Sequence, residues 1–111
     1  MHKYIFGVNI LPINLDYKNI LRLNDRLHEL DIPHELVRHL DGWAITYPDC
    51  DGYFSVQINK HTYGHENDLM WAWVHGFDED DSAIVNLTVD EALKLFIQAW
   101  EVDKNAERRS N

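Results

Sequence analysis

The spacing of apolar residues predicts two amphipathic helices, one in each half of the chain. In the first, across residues 17–31, four aliphatic residues recur at helical intervals and fall on one face: Ile20, Leu23, Leu27 and Leu30. Asn14 or Asp16 is the expected N-cap, because both side chains can accept a hydrogen bond from the first free amides. Pro33 ends the helix, since the residue before a proline is pushed toward an extended backbone.

The second helix begins at a capping box. Thr88 is followed three residues later by Glu91, and in such a pair each side chain accepts a hydrogen bond from the other residue's amide. The apolar residues beyond it keep the helical period: Val89, Ala92, Leu93, Phe96, Ile97 and Trp100. We expect the helix to run to Glu101 and residues 104–111 to form a polar tail.

Alternation of apolar and polar residues predicts strands elsewhere. The predicted strands cover residues 3–10, 34–40, 43–47, 53–59 and 69–75. Gly42 separates two of them, and residues 48–52 (PDCDG) have the composition of a tight turn, which predicts a hairpin. The resulting order is β-α-β-β-β-β-α.

This order predicts an α+β fold, with a mainly antiparallel sheet of about five strands and two helices packed on one face. Each helix has a single apolar stripe, and one sheet face can cover both stripes. A chain of 111 residues suits one domain, which we place at residues 1–103.

Charge narrows the range of partners. Ten Lys and Arg stand against nineteen Asp and Glu, which gives a formal net charge of −9. Because Lys and Arg must neutralise phosphates for nucleic-acid binding, direct binding to DNA or RNA is not expected. An acidic surface suits a basic protein partner, and the alternative interpretation is that the charge only maintains solubility.

Four of the acidic residues are consecutive: Asp78, Glu79, Asp80 and Asp81. The run does not form a calcium-binding loop of the helix-loop-helix type. Counted from Asp78, position six is Ala83, where glycine is required, and position twelve is Val89, where glutamate is required. A solvated loop or a contact for a basic partner are the interpretations that remain.

The segment NKHTYGHENDLMW, at residues 59–71, is the other candidate for function. One hypothesis is a small metalloprotein or enzyme built on four polar residues: His61, His65, Glu66 and His75. A second is a connecting loop in which Tyr63 packs down and Gly64 adopts a positive φ. A third is a binding loop, with Tyr63 among the contact residues.

Cys50 and the amino-terminal segment limit the cellular setting. A single cysteine cannot form an internal disulfide, which favours a reducing compartment. Asp49 and Asp51 flank it and disfavour the thiolate that a catalytic cysteine needs. Since the sequence has no signal-peptide core and no apolar run near 20 residues, we expect a cytoplasmic protein without a membrane partner.

Three stretches resemble small uncharacterised proteins of bacteriophages and prophages: DIPHELVRHLDGWAITYP, FSVQINKHTYGHENDL and LTVDEALKLF. They match a GW…YP, an SV…YGxE and an LTxxEA pattern over about residues 27–97. Thr62 departs from the pattern, which usually has serine there, and Met70-Trp71 replaces an acidic-aliphatic pair.

The resemblance implies a mode of action, because small acidic phage proteins often bind and block a host protein. The expected function is therefore a non-enzymatic, cofactor-free inhibitor of a host nucleic-acid-binding defence enzyme such as a CRISPR nuclease, in the host cytoplasm. The expected contact residues lie on two segments: Asp78, Glu79, Asp80 and Asp81, together with Tyr63, His65 and Glu66. A self-associating accessory protein with exposed aromatic residues is a further alternative.

Overall fold

The computed structural model describes residues 12–49, 54–74 and 82–110. These residues form seven principal elements, in the order α1 (Asn19–Glu29), β1 (Glu35–His39), β2 (Gly42–Tyr47), β3 (Phe54–Ile58), β4 (Met70–Val74), β5 (Ser82–Leu87) and α2 (Val89–Ser110). A short 3-10 helix, His65–Asn67, precedes β4. The strand predicted at residues 3–10 lies outside the described residues.

The five strands form one antiparallel sheet in the order of the chain, β1-β2-β3-β4-β5. This sheet and the two helices confirm the predicted α+β class. The sequence did not predict β5, because Ala83, Ile84 and Val85 are consecutive apolar residues with no alternation to mark a strand. Pairing with β4 makes it a strand, with a register shift between Met70 and Ala72.

The core lies between the helices and one face of the sheet. Ile45, Val56 and Ala72 form a row across β2, β3 and β4, and all three are fully buried. The helices bury six residues of the predicted stripes against this face: Ile20, Leu23, Leu27, Ala92, Leu93 and Phe96. Leu30 is an exception, since α1 ends at Glu29 and leaves it 40% exposed.

Side chains between the core positions point to the opposite sheet face, which neither helix covers. Gln57 and Trp71 are directly paired on this face, and Ser55 and Trp73 are paired beside them. Both tryptophans are half-buried, and their ring centroids lie 5.5 Å apart. We refer to this surface as the helix-free face.

The capping box at the start of α2 is confirmed. The Thr88 amide donates to Glu91 Oε1 at 3.0 Å, and the Glu91 amide donates to Thr88 Oγ1 at 3.3 Å. The hydrogen bond from the Thr88 amide to the Glu91 carboxylate is the largest cause that lowers the pKa of Glu91.

The helix is longer than the sequence predicted, because it continues through residues expected to form the tail. Asp103 Oδ2 accepts a hydrogen bond of 2.7 Å from the Tyr47 hydroxyl, and Lys104 Nζ lies 4.1 Å from the Trp100 ring centre. Neither α1 nor the described part of α2 combines the length and apolarity that crossing a bilayer requires.

We expect the substitution Glu91→Gln to lower the melting temperature at neutral pH and to have little effect in acid. Since the folded-state pKa of Glu91 lies below its unfolded value, its contribution is complete above the unfolded pKa and disappears as the pH falls through the folded one. Thermal denaturation at pH 7 and pH 3 tests this. The control is Asp90→Asn, in the same exposed first turn; equal effects of both variants would contradict a specific role for the capping box.

Gly42 allows β2 and β3 to approach each other closely. A Cβ atom at this position would lie 1.8 Å from the carbonyl oxygen of Ile58, well inside van der Waals contact. Gly42 is the first residue of β2, directly after the two-residue turn Leu40–Asp41, so the close approach occurs where the β1-β2 hairpin meets β3.

The substitution Gly42→Ala should destabilise the fold by about 1–3 kcal/mol, the range for forcing extra atoms into packed structure. The free energy of unfolding in urea is the measurement. Ser55→Ala, on the helix-free face of β3, is the control and should change stability by less than about 0.5 kcal/mol. A Gly42→Ala protein as stable as the control would rule out the close approach.

Candidate functional site

The segment between β3 and β4, residues 59–69, is a loop with its own hydrogen bonds. Its first turn is closed by buried polar groups: the Asn59 amide donates to Thr62 Oγ1 at 3.2 Å, and this hydroxyl donates to the Asn59 carbonyl at 3.0 Å. Asn59 Oδ1 also accepts from the His61 amide at 2.8 Å. Asn59 and Thr62 are 2% and 6% exposed, so the turn is anchored in the fold.

The second half of the 59–69 loop reverses direction at two left-handed residues. Gly64 has φ 88°, which confirms the predicted positive φ, and its carbonyl accepts from the Leu69 amide at 3.0 Å. Asp68, after the 3-10 helix, has φ 58°. The interpretation in which Tyr63 packs against the fold is wrong. Thr62 takes the buried position, and Tyr63 beside it is 75% exposed.

Tyr17 joins the 59–69 loop to two other segments. Its hydroxyl lies 3.1 Å from His65 Nδ1 and 3.3 Å from Asp41 Oδ2, and Asp41 Oδ1 accepts from the Lys60 amide at 2.9 Å. Burial raises the pKa of the Tyr17 phenol, and the Asp41 carboxylate raises it further. The neutral phenol donates its single proton to Asp41, so its oxygen can accept from the Nδ1–H of His65.

His65, a predicted contact residue, therefore stabilises the loop through its hydrogen bond with Tyr17. Its side chain is 28% exposed, and Nε2 lies 3.6 Å from Glu66 Oε1. Glu66, another predicted contact residue, has a side chain that is 70% exposed. Of the three predicted contact residues on this loop, Tyr63 and Glu66 are presented to solvent, while His65 holds the loop in place.

The amino end of α1 is capped from the 59–69 loop. Asp68 Oδ2 accepts from the amides of Lys18 and Asn19, at 3.2 and 3.0 Å, and the Asn19 side chain donates to the Asp68 carbonyl at 3.1 Å. The prediction that Asn14 or Asp16 caps this helix is wrong. Asn14 Oδ1 instead accepts from the Asp16 amide at 2.9 Å and closes a turn before the helix.

A pocket of about 190 Å³ opens where the 59–69 loop meets the helix-free face. The strands contribute three of its lining residues, namely His39, Gln57 and Trp71. The β1-β2 turn contributes Leu40, and the loop contributes Asn59, His61, Thr62 and Tyr63. The sequence did not point to the strand residues, because nothing in their spacing shows that His39 and Trp71 line the same pocket.

Burial lowers the pKa of the His39 imidazole, and the nearby His61 lowers it further because two imidazolium ions would repel each other. The two histidines line the same pocket.

The hypothetical metal group is separated in the structure. His61 lines the pocket, whereas His65 contacts Tyr17. Across residues 12–49, 54–74 and 82–110, no three or more His, Cys, Asp or Glu side chains are grouped so as to hold a metal ion. His75 and Cys50 lie outside these ranges.

The acidic run also lies outside the described residues: Asp78, Glu79, Asp80 and Asp81. The points where its segment joins the sheet are described. Residues 75–81 connect the last residue of β4, Val74, to Ser82 of β5, whereas the 59–69 loop enters β4 at Met70. The two segments with predicted contact residues are therefore attached at opposite ends of the same strand.

Comparison with protein-family models, with curated proteins and with solved structures finds no match to this chain. The resemblance to phage and prophage proteins stays a prediction. The candidate site is accordingly defined by its geometry: a fixed loop with exposed Tyr63 and Glu66, next to a pocket that contains His39, His61 and Trp71.

Replacing Asp68 by alanine should destabilise the protein by about 0.5–2 kcal/mol, the usual cost of losing an N-cap. Asp68→Asn is the matched control, because asparagine keeps an acceptor oxygen and tolerates the left-handed backbone at this position. Urea denaturation measures the stability, and amide hydrogen exchange at Lys18 and Asn19 should become faster in Asp68→Ala alone. Unchanged exchange at both amides would contradict the cap.

Proposed function

We propose that this chain is a small acidic binding protein that acts without chemistry, by occupying a basic surface of a partner protein. The partner class that we propose is a host defence enzyme that binds nucleic acid, such as a CRISPR nuclease. The protein would then be a phage-derived inhibitor working in the host cytoplasm. The sequence resemblance to phage proteins favours this class of partner over other basic proteins.

The observation that carries the proposal is the presentation of Tyr63. Its side chain is 75% exposed. The loop that carries it is fixed by the Asn59–Thr62 turn and by the hydrogen bond between Tyr17 and His65. Tyrosine is among the residues that most often anchor protein interfaces. An anchor on an ordered loop loses little conformational entropy on binding, so more of its contact energy contributes to affinity.

Charge supplies the second part of the argument. The net charge of −9 favours association with a positively charged groove and accelerates encounter with it. Glu66 places an exposed carboxylate three residues from Tyr63 on the same loop. The four carboxylates of residues 78–81, attached at the other end of β4, would act as a second and separate contact.

The test is a DNA-cleavage assay with a panel of purified RNA-guided nucleases. Binding to each nuclease is also measured at about 50 and about 300 mM salt, because added salt screens the attraction between exposed charges. We expect at least one nuclease to be inhibited, with binding that weakens as salt increases. Tyr63→Ala should weaken that binding by about tenfold or more, as expected for an interface anchor.

Two charge variants with the same net charge separate a local contact from a general effect. The first neutralises the acidic run: Asp78→Asn, Glu79→Gln, Asp80→Asn and Asp81→Asn. The control neutralises four exposed carboxylates on and beside α1: Asp16→Asn, Asp25→Asn, Glu29→Gln and Asp31→Asn. We expect the first variant to weaken binding by about tenfold and the control by much less. Inhibition that is insensitive to salt and to both variants, or absent from the whole panel, would refute the proposal.

A further inference from the structure

The pocket on the helix-free face has two large aromatic residues, Trp71 and Tyr63, in its lining. Trp71 stands on β4, where the neighbouring Trp73 ring supports it at 5.5 Å, and Tyr63 stands at the rim on the 59–69 loop. The volume of about 190 Å³ is slightly more than the roughly 150 Å³ of a cavity that holds one benzene ring. One planar group of that size would therefore fill it.

The polar groups of the pocket favour a donor as its occupant. Gln57 donates through its side-chain nitrogen to Ser55 Oγ at 3.4 Å, which leaves the carboxamide oxygen as its acceptor. None of the described lining residues is a lysine, an arginine or a carboxylic acid.

Charges near the rim of the pocket are balanced. Asp41 follows Leu40, and its carboxylate accepts from the backbone amide of Lys60, which precedes His61. One carboxylate and one exposed ammonium thus stand next to the two lining segments. The formal net charge of the whole protein is −9, and this favours a cation over an anion as a ligand.

We propose that this pocket takes the side chain of an arginine presented by the basic partner, with the guanidinium stacked between Trp71 and Tyr63. The inference rests on the proposed function and names the residue that the partner would insert. Guanidinium is planar and cationic, and it carries five N–H donors, so it suits the two aromatic lining residues, the carboxamide oxygen of Gln57 and the net negative charge of the protein together.

Other occupants match fewer of these features. Lysine is cationic, but its ammonium is compact and strongly hydrated and cannot stack as a plane. A phosphate or carboxylate would carry the same sign of charge as the protein and would find no lysine or arginine in the pocket lining. A nucleobase would stack equally well, but it would gain nothing from the charge.

The experiment uses the full chain and three short capped peptides, Gly-Arg-Gly, Gly-Lys-Gly and Gly-citrulline-Gly. Citrulline has the shape of arginine without its charge. Binding is followed by the NMR signals of the four indole N–H groups, one of which belongs to Trp71. We expect the arginine peptide to shift the Trp71 signal saturably, and the citrulline peptide, which cannot make a cation–π contact, to bind about fivefold to thirtyfold more weakly. The lysine peptide should also bind more weakly than the arginine peptide, because an ammonium cannot stack as a plane.

Variants locate the contact. Tyr63→Ala removes an exposed ring and should weaken binding of the arginine peptide, whereas Tyr63→Phe keeps the ring and should bind it as the unmodified protein does. Trp100→Phe, in α2 on the other side of the sheet, should leave the Trp71 shift unchanged. Equal affinity for arginine and citrulline, a tighter response to adenosine or inorganic phosphate, or no saturable shift of Trp71 would each overturn the inference.

The peptide titration and the nuclease assay can fail independently. If nucleases are inhibited but the arginine peptide does not shift Trp71, the proposed function stands and the pocket assignment is wrong. If the peptide binds as expected but no nuclease in the panel is inhibited, the pocket is an arginine site and the partner class is wrong.

Discussion

The amino end of α1 cannot cap itself, and the way it is capped determines the shape of the candidate site. Its N-cap residue, Lys18, offers no side-chain acceptor, so the first amides are satisfied by Asp68 from the loop before β4. A buried or partly buried amide without a partner would cost free energy, so this contact ties helix and loop together. Tyr17, directly before Lys18, makes a second link to the loop, because its hydroxyl contacts both His65 and Asp41. These contacts fix the conformation of the 59–69 loop, in which Tyr63 is exposed.

The same contacts involve several chemically capable residues of the candidate site. Tyr17, Asp41 and His65 form a hydrogen-bonded chain, but Tyr17 is 3% exposed and Asp41 also accepts from the Lys60 amide. Their acceptors and donors are used in joining three segments of the chain. A phenol whose pKa is raised by burial suits this role, because it stays neutral and keeps donating.

The two faces of the sheet differ, because the helices pack on one face and the pocket lies on the other. Both helices cover the face that carries Ile45, Val56 and Ala72, and the core is complete there. Strand alternation sends Gln57 and Trp71 to the other face, where they contribute to a pocket. Gln57 and Trp71 are only partly buried, so they can change with limited effect on the core, and the site proposed for a partner's arginine lies on the same face.

The sequence by itself determined the local elements. The stripe of Ile20, Leu23 and Leu27, the Thr88–Glu91 capping box and the alternation through Val56 identify two helices and the central strands, because each signal depends on neighbours a few residues apart. It also determined the positive φ of Gly64 and the charge that favours a basic partner. It failed for β5, whose three consecutive apolar residues have no period, and for the end of α2, where Tyr47 and Trp100 make contacts with Asp103 and Lys104.

Only the tertiary structure decided the contacts between distant segments. Asp68 caps a helix that begins 49 residues earlier, and His39 on β1 lines the same pocket as His61 on the 59–69 loop. Tyr63 is exposed because Thr62 takes the buried place beside Asn59. Such outcomes depend on which strands pair and in which register, and that register depends on the packing of the whole core, so no local pattern in the sequence contains them.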